Sequence, residues 1–490
     1  MAEPSTDEQP TEEEPTFEGF GTGSAEDYRQ AQWLAIKLNR EWRYDHGAGR
    51  WHHWNKVRWA PDERHEIEHK VATLAAEHLK PGKTDSEAGR KALIRLLNMA
   101  SINRALEALS TFPDYSTDGA DWDQVPYLLG CRNGIVDLRY NTIDTHPDPT
   151  CLVTMTTSRH FTPCEPSQFA ERAPEFLKFL SEITSNDPEM VNFLLMWYGA
   201  SLFGFSPEQR FLLMTGIGRN GKGTLRNAIM KATGEYSRQP DANVYMRSKF
   251  GAARSNEARA DLIDLKGKRI GFFSEPAGGK FNEEMLKAHT GGDIITARQM
   301  YSHVMVSWEP THSITILVND APEVDDIGPS MGNRVMVADF RERYEGAKED
   351  KQLYATLAGE ADGILSILCW VAKQWYELWS TGQGGLFIPP RVLEQSKAFM
   401  ERNDQVASFL DEACQLGNGY KVQSKLLYDA YLQWHAREDR QEVELSQVKF
   451  PQMLERKGFK KVKGEMGQFW LGIKPKGAMQ LADEEDDDGE

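Results

Sequence analysis

Hydrophobic positions in the first third of the chain recur with two different periods. Apolar residues at helical spacing over residues 25–43 predict a helix, and helical patterns dominate again up to about position 109. Between them, residues 42–59 alternate like an exposed strand pair that turns at Gly47 and Gly49. We therefore expect an N-terminal α+β domain over residues 25–165.

The next part of the chain reads as a hairpin followed by helix. Residues 127–138, YLLGCRNGIVDL, predict a strand, a turn at Asn133 and Gly134, and a second strand. Residues 173–203 carry apolar positions at helical spacing and predict one long helical stretch that leads into the following strand. We assign residues 166–203 to a helical region that precedes this strand.

The pattern changes to strand, glycine loop and helix over residues 211–233. An apolar run at 211–215 is followed by closely spaced glycines and then by an amphipathic helical pattern. Gly216, Gly221 and Lys222 have the spacing of a phosphate-binding P-loop, in which backbone N–H groups surround phosphate oxygens and the lysine reaches the β- and γ-phosphates. The residues predicted to bind ATP are Gly216, Ile217, Gly218, Arg219, Asn220, Gly221, Lys222, Gly223 and Thr224.

One position departs from the P-loop pattern. The residue after the lysine usually carries a hydroxyl that binds Mg²⁺, and here that residue is Gly223. Thr224 lies one place later and becomes the candidate Mg²⁺ ligand. ATP and Mg²⁺ are the expected cofactors.

Two further apolar runs are each followed by a polar residue. Glu275 follows the run at 269–274 and is placed to hold Mg²⁺ through water and to polarise the attacking water. Asn319 follows the run at 313–318 and is placed to orient that water. Parallel strands that end in polar residues at one sheet edge are what an α/β NTPase requires, so the predicted core occupies residues 204–345.

The C-terminal region predicts three helices and a wing. Residues 403–416, 424–434 and 446–457 have helical patterns, and a hairpin turning at 464–467 follows. From Lys449 to Lys476 there are eight basic residues and two acidic ones. A basic winged helix at 396–476 is a DNA-binding candidate through Lys460, Lys461 and Lys463, and a protein-docking module is the alternative. A helical segment, 346–395, precedes it.

Charge and composition narrow the functional classes. The net charge is −17, but residues 1–24 and 483–490 each carry seven acidic residues, which leaves −3 on the body. We expect disordered acidic tails at 1–24 and 477–490. Five scattered cysteines without a CxxC pair favour a reducing cytoplasm. No apolar run approaches membrane-spanning length, so no membrane partner is expected.

Several motifs in a fixed order carry a family resemblance. GIGRNGKGTL, CRNGIVDL, LKGKRIGFFSEP, KAHTGGDIITAR, ITILVND and GNRVMVADF together make the chain resemble superfamily 3 helicases. Within that superfamily it is similar to the phage and plasmid primase-helicase family, which includes the poxvirus-type enzymes. The segment before the helicase motifs is too short for a primase domain, so we expect no primer synthesis.

This resemblance implies that residues 166–203 form a helical collar before an AAA+-like α/β ATPase core. It also implies that the ATPase assembles as a homo-hexameric ring and unwinds DNA in the 3′-to-5′ direction. A phage origin would place the protein in the cytoplasm of the bacterial host. It implies that Arg334, in GNRVMVADF, is an arginine finger supplied to a neighbouring subunit; pairing with Asp339 is the alternative. It also implies a channel hairpin in which Arg298, Tyr301 and His303 hold DNA, with a plain solvent-facing hairpin as the alternative.

The expected catalytic residues are therefore Lys222, Glu275, Asn319 and Arg334, and the expected metal ligands are Thr224 and Glu275. Single-stranded and forked DNA are the expected partners, together with a primase, a polymerase or an origin-binding protein. Two other functions fit parts of the pattern. A non-unwinding initiator or loader would need no Arg334 or Glu275, and a packaging motor or nucleic-acid kinase would share the P-loop without the hairpin near Tyr301.

Overall fold

The computed structural model describes residues 24–81, 83, 86–205, 207–247, 260–274, 279–298, 305–325, 327–346, 349–437, 444–464 and 467–476. Within these ranges the chain forms a mixed α/β structure with one parallel sheet and several smaller sheets. The predicted acidic tails lie outside the described residues, apart from Ser24 at the start of the first helix. Glu275, Tyr301 and His303 also lie outside them.

The N-terminal region packs helices against a small sheet of order β3-β2-β1-β4. Strands β1 and β2 form the predicted antiparallel hairpin, and β4 adds an unpredicted short parallel pairing to β1. Buried side chains from the helices and β1, including Trp33 and Trp42, make one hydrophobic core. Its elements are α1 (Ser24–Lys37), β1 (Trp42–Asp45), β2 (Arg50–Trp54), β3 (Trp59–Pro61), α2 (Glu66–His78), α3 (Glu87–Arg95), α4 (Met99–Leu109) and β4 (Ser116–Thr117).

A second small sheet contains the predicted CRNGIVDL hairpin. Cys131 pairs with Gly134 at the turn, and a third strand extends the sheet. Gly134 has φ +153°, and a Cβ there would lie 2.2 Å from the Asp144 carbonyl oxygen, so the close strand requires glycine. The strands are β5 (Leu128–Cys131), β6 (Gly134–Asp137) and β7 (Thr142–Asp144).

The collar is not one continuous helix, so the prediction for residues 173–203 is wrong in this respect. Ser185 and Asn186 have positive φ, and the next helix begins at Pro188 with the Asp187 carboxylate accepting from the N–H groups of Glu189 and Met190. An Asp cap followed by proline at the first helical position starts a new helix. The helices are α5 (Phe169–Arg172), α6 (Pro174–Ile183) and α7 (Pro188–Ala200).

The central region is a five-stranded parallel sheet of order β14-β8-β13-β10-β9. Alternate residues of β8 enter different cores: Leu212 and Met214 join the one shared with the collar, and Phe211 and Leu213 join the other. Both faces are therefore covered, which explains the continuous apolar runs. The elements are β8 (Phe211–Thr215), α8 (Lys222–Thr233), β9 (Ser237–Arg238), α9 (Ala260–Ile263), β10 (Ile270–Ser274), α10 (Glu283–Gly291), β11 (Ile295–Arg298), β12 (Met305–Trp308), β13 (Ser313–Leu317), α11 (Pro329–Gly332) and β14 (Val335–Asp339).

Three helices lead from the sheet to a C-terminal module of helices and a three-stranded antiparallel sheet of order β15-β17-β16. The predicted helix at 403–416 is wrong at both ends, since residues 405–413 are helical and a strand begins at Cys414. Pairing of Cys414 with Pro475 draws this glycine-containing segment into the sheet. The elements are α12 (Leu353–Gly359), α13 (Ala361–Ser380), α14 (Pro390–Arg402), α15 (Gln405–Ala413), β15 (Cys414–Gln423), α16 (Ser424–Arg437), α17 (Lys449–Arg456), β16 (Lys461–Gly464) and β17 (Gly467–Pro475).

Among the described helices, none is by itself long and apolar enough to cross a membrane; only α12 and α13, bent by 63° where they meet, reach that length and composition as a pair.

Candidate nucleotide-binding site

The glycine loop between β8 and α8 is fixed by close contacts that only glycine permits. Gly216 has φ +133°, and a Cβ there would lie 2.2 Å from the Phe340 carbonyl oxygen. Gly221 has φ +90°, and a Cβ there would lie 2.4 Å from Ile183 Cγ2 on α6. Asn220 Nδ2 donates to the same Phe340 carbonyl at 3.2 Å. The loop is therefore held between the end of β14 and the collar.

Lys222 is the first residue of α8, and its side chain turns back over the glycine loop. The residue is buried, and its Nζ donates to the Gly216 carbonyl oxygen. This conformation places the ammonium group against the backbone of the loop at a helix N-terminus, where backbone N–H groups lack partners within the helix. The N-terminus of α8 beside Lys222 therefore favours the binding of an anion.

A cleft of about 510 Å³ opens above the loop at the carboxyl edge of the sheet. Its described lining contains three basic side chains and no acidic one. The volume lies in the usual range for small-molecule sites, and the donor-rich lining fits a polyphosphate. The lining residues are Gly218, Arg219, Asn220, Gly221, Lys222, Gly223, Thr224, Arg226, Gln239, Ser274, Leu317, Val318 and Asn319. Of the residues predicted to bind ATP, Gly216 lies beneath this cleft and Ile217 is 75% exposed.

Thr224 and Gly223 differ in their surroundings. Thr224 lines the cleft and is half-buried, whereas Gly223 is exposed, with no described atom within 4 Å of an added Cβ. A side chain at position 223 would therefore meet no described neighbour. The Thr224 hydroxyl remains the predicted Mg²⁺ ligand.

The strand expected to carry Glu275 ends at Ser274 in the described structure, so the position of Glu275 itself is not described. Ser274 Oγ accepts a hydrogen bond of 2.8 Å from Arg226 Nη1. Arg226 lies on α8 four residues after Lys222, on the same face, and sequence reasoning missed it. The helical spacing of the two basic residues was the signal that could have identified it.

Asn319 lies beside the glycine loop, as the order of the strands requires. The strand that precedes it, β13, pairs with β8 so that Leu317 faces Met214. The Asn319 side chain is exposed, and its Oδ1 is 3.9 Å from the position that a Cβ on Gly218 would occupy. The structure thus brings Asn319, Lys222 and Thr224 into one cleft.

Arg334 lies at the opposite edge of the sheet from the glycine loop. It precedes β14, in which Val335 pairs with Phe211 at the start of β8, about 16 Å along the strand from the loop. Its Nη1 donates to the Ser330 carbonyl oxygen at 2.6 Å, and its Nε is buried without a hydrogen-bond partner in the described part of the chain. The alternative of pairing with Asp339 is wrong, because Asp339 ends the strand and pairs with Arg341 at 2.9 Å.

The stem of the predicted DNA hairpin is present. Strands β11 and β12 pair antiparallel, with Arg298 opposite Met305. Arg298 is half-buried at the end of β11. Tyr301 and His303 belong to the part between these strands, outside the described residues, so their proposed DNA contacts stay predictions.

Several basic residues of the C-terminal module are used within the molecule. Lys449 Nζ contacts Asp325 at 3.0 Å and Lys457 pairs with Asp404. Burial alone would raise the pKa of Asp325, but the charges and hydrogen bonds of Lys280 and Lys449 hold that pKa well below its usual range. The eight basic residues counted in the sequence therefore overstate the charge available to a ligand.

The residues predicted to contact DNA in the module remain accessible. Lys460 and Lys463 are exposed at β16, and Lys461 Nζ lies 5.6 Å from the Trp470 ring centroid. The three helices and the hairpin are the elements predicted for a winged helix, with β15 as an additional strand.

The fold and the cleft define a mixed α/β protein with a parallel sheet and a glycine-loop cleft at its carboxyl edge. Residues 31–185 match the family model described as D5 N terminal like. The chain is 28% identical over 224 residues to a protein of Acanthamoeba polyphaga mimivirus named "Putative helicase L207/L206". That alignment covers 45% of this chain and only 22% of the viral protein.

Two solved ligand-free structures of the NrS-1 C-terminal region cover most of the chain at low similarity. One has a TM-score of 0.45 and 12% identity, covering 90% of this chain and 98% of that one. The other, of residues 305–718, has a TM-score of 0.46 and 11% identity, covering 91% and 99%. Likeness of this size adds nothing to the argument about function.

Proposed function

We propose that this chain is an ATP-dependent DNA helicase of the superfamily 3 type, which works as a ring on single-stranded DNA. The observation that carries the proposal is the convergence of Lys222, Thr224 and Asn319 on one cleft above a glycine loop. The relative named as a helicase and the match to the D5 N terminal like model support the choice of a helicase among ATP-driven functions.

In this proposal the glycine loop and Lys222 bind the β- and γ-phosphates of ATP. Backbone N–H groups at the start of α8 and the Lys222 ammonium supply positive charge without any acidic neighbour in the described lining. Mg²⁺ bound with ATP would neutralise charge on the phosphate oxygens, with Thr224 as its candidate ligand. Asn319 orients the attacking water, and Glu275 has the role of polarising it.

Arg334 acts in a neighbouring subunit. The distance along β14 separates it from the glycine loop of its own chain, which supports a role as a finger supplied to a neighbouring subunit over one in its own site. This arrangement requires an oligomer in which ATP lies between subunits, and we propose a homo-hexameric ring. The hairpin of β11 and β12 would hold one DNA strand in the channel, with 3′-to-5′ translocation.

DNA-stimulated ATP turnover separates this function from its rivals. A helicase requires turnover that rises with added single-stranded DNA and also displaces a strand from a fork. A loader that only binds DNA shows no turnover, and a nucleic-acid kinase transfers phosphate to the DNA end. Measuring phosphate release with and without dT20, alongside end-labelling of the same DNA, decides among them. Absence of turnover under all conditions would overturn the proposal.

A further inference from the structure

A second polar cleft lies in the N-terminal half of the chain, away from the glycine loop. Its volume is about 390 Å³, and three separate segments line it: the turn between β2 and β3, the end of β5, and the segment that approaches the end of α8. We call it the Arg132 pocket. Its lining residues are Asn55, Val57, Arg58, Cys131, Arg132, Thr156 and Ser158.

The Arg132 pocket is lined by hydrogen-bond donors, and none of its described lining residues carries a carboxylate. Arg132 is exposed, and its guanidinium group has no ion-pair partner among the described residues. Asn55 Oδ1 accepts from the N–H groups of Val57 and Arg58, which leaves its amide nitrogen as a donor. Ser158 adds a hydroxyl group. Such a set suits an anion with several oxygens.

The carboxylate that contacts the wall of the pocket, Glu235, is already paired. Glu235 Oε2 accepts from Arg58 Nη1 at 3.0 Å and from the Thr156 N–H at 2.8 Å. These contacts fix Arg58 at the wall of the pocket, and Arg132 supplies the uncompensated charge. Glu235 follows the C-terminal end of α8, about 18 Å from the glycine loop along that helix.

Other chemistries fit the pocket poorly. Burial raises the pKa of the Cys131 thiol to about 12, so it is a poor nucleophile at neutral pH. No group of three or more His, Cys, Asp or Glu residues that could hold a metal is found in the described part of the chain. The pocket therefore has neither a reactive thiolate nor a cation site.

The walls are held in place by buried hydrogen bonds. Tyr236 Oη accepts from the Gly130 N–H at 2.7 Å and donates to the Met155 carbonyl at 3.1 Å. The Arg132 N–H donates to the Arg159 carbonyl at 2.8 Å. Arg269, buried beneath, lies over the Tyr236 ring at 4.7 Å and donates to the Leu128 carbonyl. The backbone that carries Cys131 and Arg132 is thus pre-organised, which lowers the cost of binding.

From this geometry we infer that the Arg132 pocket binds a phosphate group, and that its ligand is the phosphodiester backbone of a nucleic-acid strand. The identification of the strand as the ligand rests on the proposed function. Exposure of Arg132 and Lys56 allows an extended polymer to pass across the pocket, whereas the phosphate of a free nucleotide has the same chemistry and is the second source to be tested.

The test measures binding and not catalysis, so it remains informative if the proposed ATPase is absent. Full-length protein carrying Lys222→Ala, which disables the glycine loop, is titrated with fluorescein-labelled dT20 and separately with mant-ADP at several salt concentrations. Adding Arg132→Ala should weaken dT20 binding at least fivefold at low salt. It should also reduce the slope of the logarithm of the dT20 binding constant against the logarithm of the salt concentration by about 0.7, the value for one phosphate contact on a single strand.

Controls make each outcome decisive. Arg90→Ala removes an exposed arginine on α3 and should leave binding unchanged, and Arg132→Lys should keep the salt slope. Thermal unfolding checks the fold, and Ser158→Ala provides a milder variant if Arg132→Ala is unstable. Loss of mant-ADP binding alone would support a phosphate site but overturn the strand as its ligand. The inference would be overturned if Arg132→Ala bound both probes as tightly as Arg90→Ala does. It would also be overturned if the protein with Arg132 intact bound neither probe.

Discussion

The glycine-loop cleft and the Arg132 pocket are both lined by donors without a described carboxylate, yet they are built over very different distances along the chain. Most of the first cleft comes from Gly218 to Arg226, with additions from the ends of three strands, β9, β10 and β13. The second needs residues from positions 55 to 158, brought together by the fold. A contiguous motif fixes its own geometry through local backbone conformation, whereas the pocket depends on tertiary contacts such as those of Tyr236.

The largest effect is expected at the subunit interface that the glycine-loop cleft is proposed to require. Arg334→Ala and Lys222→Ala subunits should each lose ATP turnover, by roughly 10³-fold or more for the finger by analogy with other P-loop enzymes. Mixing the two should restore part of the turnover, because some interfaces then combine an intact loop with an intact arginine. Phosphate release from mixed rings measures this. Proven subunit exchange without recovery would show that Arg334 does not act across an interface.

The local geometry of the loop can be tested by two glycines only two residues apart. Gly221→Ala forces a Cβ to 2.4 Å from Ile183 at positive φ, and should lower the free energy of unfolding by about 1–3 kcal/mol and abolish ATP binding. Gly223→Ala enters open space in α8 and should raise stability by up to about 1 kcal/mol. Chemical denaturation and nucleotide titration check both. Equal effects of the two substitutions would contradict the described loop.

Asp325 lies where the core meets the C-terminal module, so its substitution tests tertiary contacts and not local backbone geometry. Asp325→Asn removes a carboxylate that contacts Arg247, Lys280 and Lys449. The substitution should lower the free energy of unfolding by about 1–3 kcal/mol near neutral pH. Since the folded pKa of Asp325 is depressed, its contribution is present above the unfolded value of about 3.9 and is lost as pH falls below it. The stability difference between wild type and variant should therefore shrink below about pH 4. A difference that stays constant down to pH 3 would contradict this account.

The smallest effect concerns the Mg²⁺ ligand. Thr224→Ala should raise the Mg²⁺ concentration needed for half-maximal turnover by about tenfold, the scale of a lost hydrogen bond to a charged group. Gly223→Ser should be tolerated, because position 223 is open. Magnesium titrations of the two variants decide the matter. An unchanged requirement in Thr224→Ala would show that the hydroxyl is not a ligand.

These contrasts explain which features could be predicted from sequence. Strands β8, β10, β13 and β14 were predictable because both faces of the sheet are buried, which makes each strand an apolar run. The helix start at Pro188 was missed although its Asp187 cap is a local signal. Strand β15 was not predictable in the same way, since residues 414–423 become a strand only by pairing with β17. Arg226 was missed although it lies at helical spacing from Lys222, whereas the Arg132 pocket emerged only from side-chain positions in the folded chain.

In the proposed function, ATP hydrolysis in the glycine-loop cleft powers DNA unwinding. Strand displacement from forked DNA, with Lys222→Ala compared to the matched variant Lys231→Ala on the exposed face of α8, tests it directly. We predict ATP-dependent displacement by wild type and by Lys231→Ala, and a loss of about 10²-fold or more in Lys222→Ala, the scale of removing one electrostatic donor from a reacting site. Displacement by Lys222→Ala at the wild-type rate, with its fold intact by thermal unfolding, would contradict the claim.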